Sequence, residues 1–205
     1  MAEPVRFTVW SDFLCPWCYV AALRLDELER EVGDVVTIEW RSFLLRPQAA
    51  ARPLDKFTAY TQSWMRPNEA QPNAGFHVWS GANPPPSHSL PPAIAGKAVQ
   101  DIFGADGFHR FHLALMRAYF ADNRTISERD VILDVAAATD LDPHKLADAL
   151  TDGEAEYEQR VVEDHRAALA EGIAAVPTAV VNGEYLLQGA MTLEQYQKVV
   201  ARIGG

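Results

Sequence analysis

No run of eighteen consecutive apolar residues occurs in this 205-residue chain, so no α-helical membrane span is expected. The N-terminus lacks the basic stretch followed by an apolar one that marks a secretory signal. A strand-like run begins almost at once, and a cytoplasmic protein without a membrane partner is expected. Positive charge is scarce: 18 Lys and Arg stand against 28 Asp and Glu, a formal net charge of −10. A surface of that sign repels phosphate backbones, so nucleic acid is not an expected partner. There is no internal repeat and no low-complexity segment. Cysteine is rarest among the residues that carry chemistry, with two in the whole chain. A structural zinc site needs about four ligands, and no second Cys-x-x-Cys or His-x-x-x-His accompanies them. No metal and no cofactor are therefore expected.

What is present is the spacing of those two cysteines, Cys15-Pro16-Trp17-Cys18. Random placement would give it roughly once in a hundred such chains. A reducing cytosol does not maintain structural disulfides, so a close pair there is more often redox-active or metal-binding. The pair follows a β-rich run, Val5 to Trp10, and opens a helical one, Tyr19 to Glu31. Cys15 fits the N-cap and Pro16 the first helical position, where its missing N–H costs nothing. Free N–H groups and the positive end of the macrodipole favour an anion there. The thiolate is the attacking species in disulfide exchange. Cys18, one turn on, reaches the same sulfur and is expected to be the more buried of the two. Trp17 presents an apolar face beside it.

The rest of the chain reads as β-α-β, then helices, then β-β-α. Gly33 ends the first helix and Val35 to Trp40 is the second strand, which predicts a right-handed parallel unit. Residues Leu54 to Met65 are predicted helical. Seven prolines fall between Pro67 and Pro92, predicting a long loop except at Phe76–Trp79. Phe108, Phe111, Leu115, Ala118 and Tyr119 form one helix stripe. Ser127 is the predicted cap of the next helix, with Asp130 at its third position. Asp142-Pro143 opens another, and Val161, Val162, His165 and Leu169 mark a last long helix ending at Gly172. Thr178–Asn182 and Tyr185–Gln188 flank Asn182-Gly183, a hairpin signal. Thr192 and Gln195 form a capping box, stapled by Met191 and Tyr196, for a helix running to Ile203. Val176-Pro177 sits at a strand entrance, where an X-Pro bond can be cis and can leave the Val176 backbone to pair with an extended peptide.

These residues resemble the DsbA family of thioredoxin-fold oxidoreductases, and within it the FrnE-like branch. Asp12-Phe13-Leu14-Cys15-Pro16-Trp17-Cys18-Tyr19, Ala118-Tyr119-Phe120, Gly172 to Thr178 and Gln188-Gly189-Ala190 carry the resemblance. It implies an α/β thioredoxin-like fold with an inserted all-helical domain, residues 1–46 and 173–205 forming the former and 47–172 the latter. It implies Cys15 as the attacking thiol, Cys18 as the resolving thiol and Pro177 as a cis-proline. It also implies thiol or disulfide substrates, protein or small molecule, with glutathione entering at most as a co-substrate. Two departures stand out. Val9 occupies the place, six residues before the first cysteine, where many thioredoxin-fold enzymes carry a buried acid; Asp12 is the nearer candidate proton acceptor. Trp17 replaces the thiolate-stabilising His inside the motif of DsbA itself.

Other readings remain beside this one. Glutathione-dependent isomerases and transferases of the kappa and 2-hydroxychromene-2-carboxylate isomerase type share the same fold and insertion, but they typically place Ser where Cys15 stands. A non-catalytic binding module would use an apolar cleft near the proline-rich segment, which Trp64 and Trp79 flank. Aromatics are more often core. His109 and His112 are spaced for one helix face, but packed or solvated histidines are commoner than ligands.

Overall fold

The computed structural model describes residues 3–204. Strand β1 (Val5–Ser11) alternates buried and partly exposed residues until Val9, after which every residue is buried. Helix α1 (Pro16–Val32) returns the chain to strand β2 (Val36–Ser42), which pairs with β1 in parallel from Val5 opposite Val36 to Ser11 opposite Ser42. Strand β3 (Thr178–Val181) joins the other side of β1, antiparallel, with Ala179 opposite Val9. Strand β4 (Tyr185–Gln188) closes a hairpin onto β3, giving the order β2-β1-β3-β4. Asn182 and Gly183 both take positive φ in the three-residue connection 182–184 between Val181 and Tyr185, which lets the chain reverse tightly between twisted strands.

Between β2 and β3 lie helices α2 (Leu54–Thr61), α3 (Met65–Ala70), α4 (Leu90–Phe120), α5 (Arg129–Ala138), α6 (Pro143–Asp152) and α7 (Glu154–Ala170). Helix α8 (Leu193–Ile203) ends the chain behind the capping box of Thr192 and Gln195. One face of the sheet packs Val5, Phe7 and Val9 against Leu25 and Leu28 of α1 and Tyr196 and Val200 of α8. The opposite face packs Trp10 and Phe43 against Ala168 of α7 and Ile173. The largest cluster joins the start of α1 to the helices, with Trp64, Trp79, Leu115, Tyr119 and Phe120 fully buried at its centre. Both flanking tryptophans are thus core residues, not cleft walls.

Three local expectations need correction. The proline-rich segment is more ordered than a loop. Helix α3 runs to Ala70 through Pro67, a 3₁₀ turn covers Pro72–Ala74, and α4 begins at Leu90 with Pro91 and Pro92 in its first turn, where proline has no hydrogen bond to lose. Phe76–Trp79, the stretch excepted from the predicted loop, forms no regular element. The N–H groups of Phe76, His77 and Trp79 go instead to Asn68 Oδ1, the Phe120 carbonyl and Thr61 Oγ1 at 3.0, 2.9 and 3.0 Å, partners that take the place of a ladder. Ser127 does not cap α5; Glu128 precedes it without a side-chain cap, while Ser127 Oγ accepts the Ser87 N–H at 3.1 Å. In α7 the buried residues are Val161 and Ala168, and Leu169 is exposed. Helix α4 is broken at Gly104, whose φ of 71° is a conformation L side chains rarely adopt.

Candidate active site

The chain leaves β1 at Ser11, makes one tight turn and enters α1. Asp12 builds that turn. Its carbonyl accepts the Cys15 N–H at 3.0 Å, and its Oδ1 accepts the Leu14 N–H at 2.6 Å. Its Oδ2 accepts the Leu45 N–H, also at 2.6 Å, so one side chain joins the loop after β1 to the loop after β2. Asp12 is buried. Burial pushes its carboxyl above the ordinary value, against the donors of Ser89, Leu14 and Leu45, which pull it down.

Cys15 is the N-cap of α1 and Pro16 its first residue. Cys15 Sγ accepts the Cys18 N–H at 3.4 Å and lies 3.5 Å from the Val176 carbonyl, to which its thiol donates. The amide contact strengthens when the sulfur is anionic, whereas a thiolate gives up the bond to the carbonyl. Cys15 keeps 5% of its surface exposed and Cys18 none, and both thiols are free. Trp17 is exposed at 37% beside them. Cys18 is driven well above its ordinary value by desolvation, by its contact with Cys15 and by the proximity of that sulfur.

From the far end of the chain, Val176-Pro177 closes over the pair. The peptide bond is cis. Pro177 is buried and Val176 half-buried. The Pro177 carbonyl accepts the Gly189 N–H at 2.8 Å, and Thr178 Oγ1 donates to the Ala175 carbonyl at 2.8 Å, which fixes the turn into β3. The structure therefore gathers Asp12, Cys15, Pro16, Trp17, Cys18, Val176 and Pro177 at the C-terminal end of β1. Val9 lies one turn of strand deeper among apolar residues. His109 and His112 stand apart from the thiols in role. His109 Nε2 lies 2.6 Å from Asp26 Oδ1, while His112 is packed among Phe13, Trp40 and Phe108. Among the described residues no group of three or more His, Cys, Asp and Glu side chains is arranged to hold a metal.

Two residues escaped the sequence reading. Ser89 receives the Arg46 N–H at 3.1 Å and returns its own N–H to the Arg46 carbonyl at 2.9 Å, pinning the loop that Asp12 holds. Arg24 sits two turns along α1 from the pair. Its guanidinium donates to the Ala70, Ala190 and Met191 carbonyls and to Gln71 Oε1 at 2.7 to 3.3 Å. Nothing in the local sequence of either marks it, because their partners lie 43 to 167 residues away.

Comparison with known proteins places this geometry. The family described as the DSBA-like thioredoxin domain matches residues 6–70 and 94–201. Over 201 residues the chain is 26% identical to the uncharacterized protein YwbO of Bacillus subtilis (strain 168), covering 96% of each. Among solved structures, the probable DsbA oxidoreductase of Streptomyces coelicolor superposes with a TM-score of 0.72 at 25% identity, over 97% of this chain and 89% of that one. The cytosolic disulfide reductase DsbM of Pseudomonas aeruginosa, solved with GSH, gives a TM-score of 0.74 at 18% identity, over 97% of this chain and 100% of that one.

Proposed function

The chain belongs to the DSBA-like thioredoxin domain family, and from that premise we propose that it is a thiol-disulfide oxidoreductase of the FrnE-like branch working through Cys15 and Cys18. The observation that carries the reading is the Cys15 sulfur at the start of α1, with the Cys18 N–H on one side and the Val176 carbonyl on the other. Cys15 as thiolate attacks one sulfur of a substrate disulfide and expels the other half as a thiolate. Cys18 then attacks Cys15 Sγ, forms the internal disulfide and releases the second substrate half. Run backwards, the same two exchanges oxidise a dithiol. Val176 supplies backbone for an extended substrate, Pro177 holds it facing the thiols, and Pro16 and Trp17 shape the approach. Asp12 is the candidate proton acceptor beside its part in holding the loop.

The reading extends to partners. Protein or small-molecule disulfides are the substrates, and glutathione is the co-substrate that resets the pair; the glutathione complex of DsbM supports this by analogy. No resident cofactor is required. We place the protein in the cytoplasm, and divide it into a thioredoxin-like domain of residues 1–46 and 173–205 and a helical insertion of residues 47–172. Cysteine at position 15 disfavours the isomerase alternative, whose members typically carry Ser at the first motif position.

An insulin-reduction assay with trapping tests the proposal. Cys15→Ser is expected to abolish turnover, and Cys18→Ser to accumulate mixed disulfides visible by mass. Turnover by Cys15→Ser at the wild-type rate would overturn it.

A further inference from the structure

Arg24 is a buried cation without a counterion. It keeps 8% of its surface exposed, and no ion pair among the described residues includes it. Its guanidinium meets only neutral acceptors: the Ala70 and Met191 carbonyls at 2.7 and 2.9 Å, Gln71 Oε1 at 2.9 Å and the Ala190 carbonyl at 3.3 Å. Taking a cation out of water is unfavourable unless hydrogen bonds offset it. An apolar side chain of similar volume fills such a site without that penalty. What it lacks is the planar fork of donors, which reaches several acceptors in fixed directions at once.

Those acceptors sit where elements end. Ala70 closes α3, and the last carbonyls of a helix find no partner inside it. Ala190 and Met191 belong to the turn between β4, which stops at Gln188, and Thr192, the cap of α8. Gly189, beside Ala190, takes a φ of 85°, and its N–H donates to the Pro177 carbonyl at 2.8 Å. The next carbonyl back along the chain, that of Val176, is the one 3.5 Å from Cys15 Sγ. Val176 and Ala190 both pack against the apolar cluster that contains Cys15. Arg24 is thus joined to the backbone beside the attacking sulfur through the turn 189–191 and the bond from Gly189 to Pro177.

We propose that Arg24 is a positioning residue that favours extended peptide disulfides: by holding the turn 189–191 it fixes the Val176-Pro177 backbone in the place where a substrate strand pairs beside Cys15. The inference rests on the oxidoreductase reading. Arg24 bonds to neither thiol; it acts through Ala190, Gly189 and Pro177. A substrate flanked by peptide backbone gains from a fixed pairing edge. A small aromatic disulfide has no strand to pair and gains nothing. Arg24→Lys keeps the charge, but a single ammonium cannot span α3 and the turn together.

Insulin reduction over a range of insulin concentrations, beside reaction of Cys15 with the small aromatic disulfide DTNB, tests the proposal. In Arg24→Met and in Arg24→Lys, KM for insulin should rise about fivefold or more while kcat stays within about twofold, the pattern of lost binding. The DTNB rate should stay within about twofold of wild type. Gly189→Ala disturbs the same turn from its other side. Its Cβ meets no atom within 4 Å, but the positive φ is disfavoured, so it should raise KM with Arg24 intact, and it decides the matter if neither Arg24 variant folds. An unchanged KM, a loss confined to kcat, or an equal slowing with DTNB would overturn the positioning role. So would a full return to the wild-type KM in Arg24→Lys, which would make charge alone the cause. A wild-type protein that forms its internal disulfide with DTNB but leaves insulin intact would overturn this inference alone. One that forms no internal disulfide with DTNB and leaves insulin intact would sink the oxidoreductase reading itself.

Discussion

The buried titratable residues around the site respond to acid in opposite senses. His112 has no room for charge among its aromatic neighbours, and its value falls to about 3. A histidine with a lowered folded value contributes stability that is complete above the unfolded value near 6.5 and is lost as pH falls towards 3. The loss is about 1.4 kcal/mol for each pH unit below 6.5. His112→Phe should therefore lose about 2 kcal/mol less than wild type between pH 7 and pH 5 in urea unfolding; parallel losses would show that His112 is not the acid-sensitive group. Asp12 runs the other way. Its folded value is raised, so its own contribution is greatest below the unfolded value and declines as pH rises through the folded one. Asp12→Asn turns an amide NH₂ towards one of two backbone donors and should cost about 1–3 kcal/mol at pH 7. That cost should widen as pH is lowered to 4.5, and a gap that narrows on acidification would contradict the raised value. At this scale the sequence was legible where chemistry is local. Cys15, Cys18 and Asp12 are neighbours along the chain. Ser89 was passed over because its partner, the Arg46 backbone, lies 43 residues away along the chain.

Elements were readable where their ends carry their own signals. Asp142 caps α6 by accepting the His144 and Lys145 N–H groups at 2.9 and 3.2 Å, and Thr192 with Gln195 caps α8 reciprocally. Thr192→Ala should cost about 1 kcal/mol, read as a lower melting temperature without change in the insulin-reduction rate; a slower rate would mean that α8 also tunes the thiols. Ser127 shows the limit of such signals. Its hydroxyl suits a cap, but a long-range partner, the Ser87 N–H, takes it. The same competition hides order in the proline-rich segment. There, backbone groups are satisfied by the side chains of Thr61 and Asn123 from elsewhere and of Asn68 within the segment, and proline content alone cannot report those partners.

Across the whole molecule, the redox pair belongs to two bodies of structure at once. Helix α1 buries Leu25 and Leu28 against the sheet and α8, while its first turn belongs to the aromatic-rich cluster of the helices, with Tyr19 stacked on Phe120. Arg24 ties the same helix to α3 and to the turn before α8. Arg24→Ala strips the donor from three carbonyls and should lower unfolding stability by about 2–4 kcal/mol, measured by urea titration; a change within about 0.5 kcal/mol would show the tie to be incidental. The alternation of β-α-β, helices and β-β-α was visible along the chain because each strand and helix carries its period. The joining of both ends into one sheet followed from that order only on the condition that the helical block is an insertion, since strands β1 and β3 lie about 170 residues apart and no local pattern pairs Val9 with Ala179.

The account depends on two thiols acting as one redox unit. Equilibrating the protein with glutathione buffers of graded ratio, then alkylating and weighing it, tests that directly. We predict a single two-electron transition between a doubly alkylated form and a form two hydrogens lighter than the reduced protein, with the Cys15–Cys18 disulfide found by digestion. Independent titration of the two thiols, with stable glutathione adducts and no internal disulfide at any ratio, would contradict it.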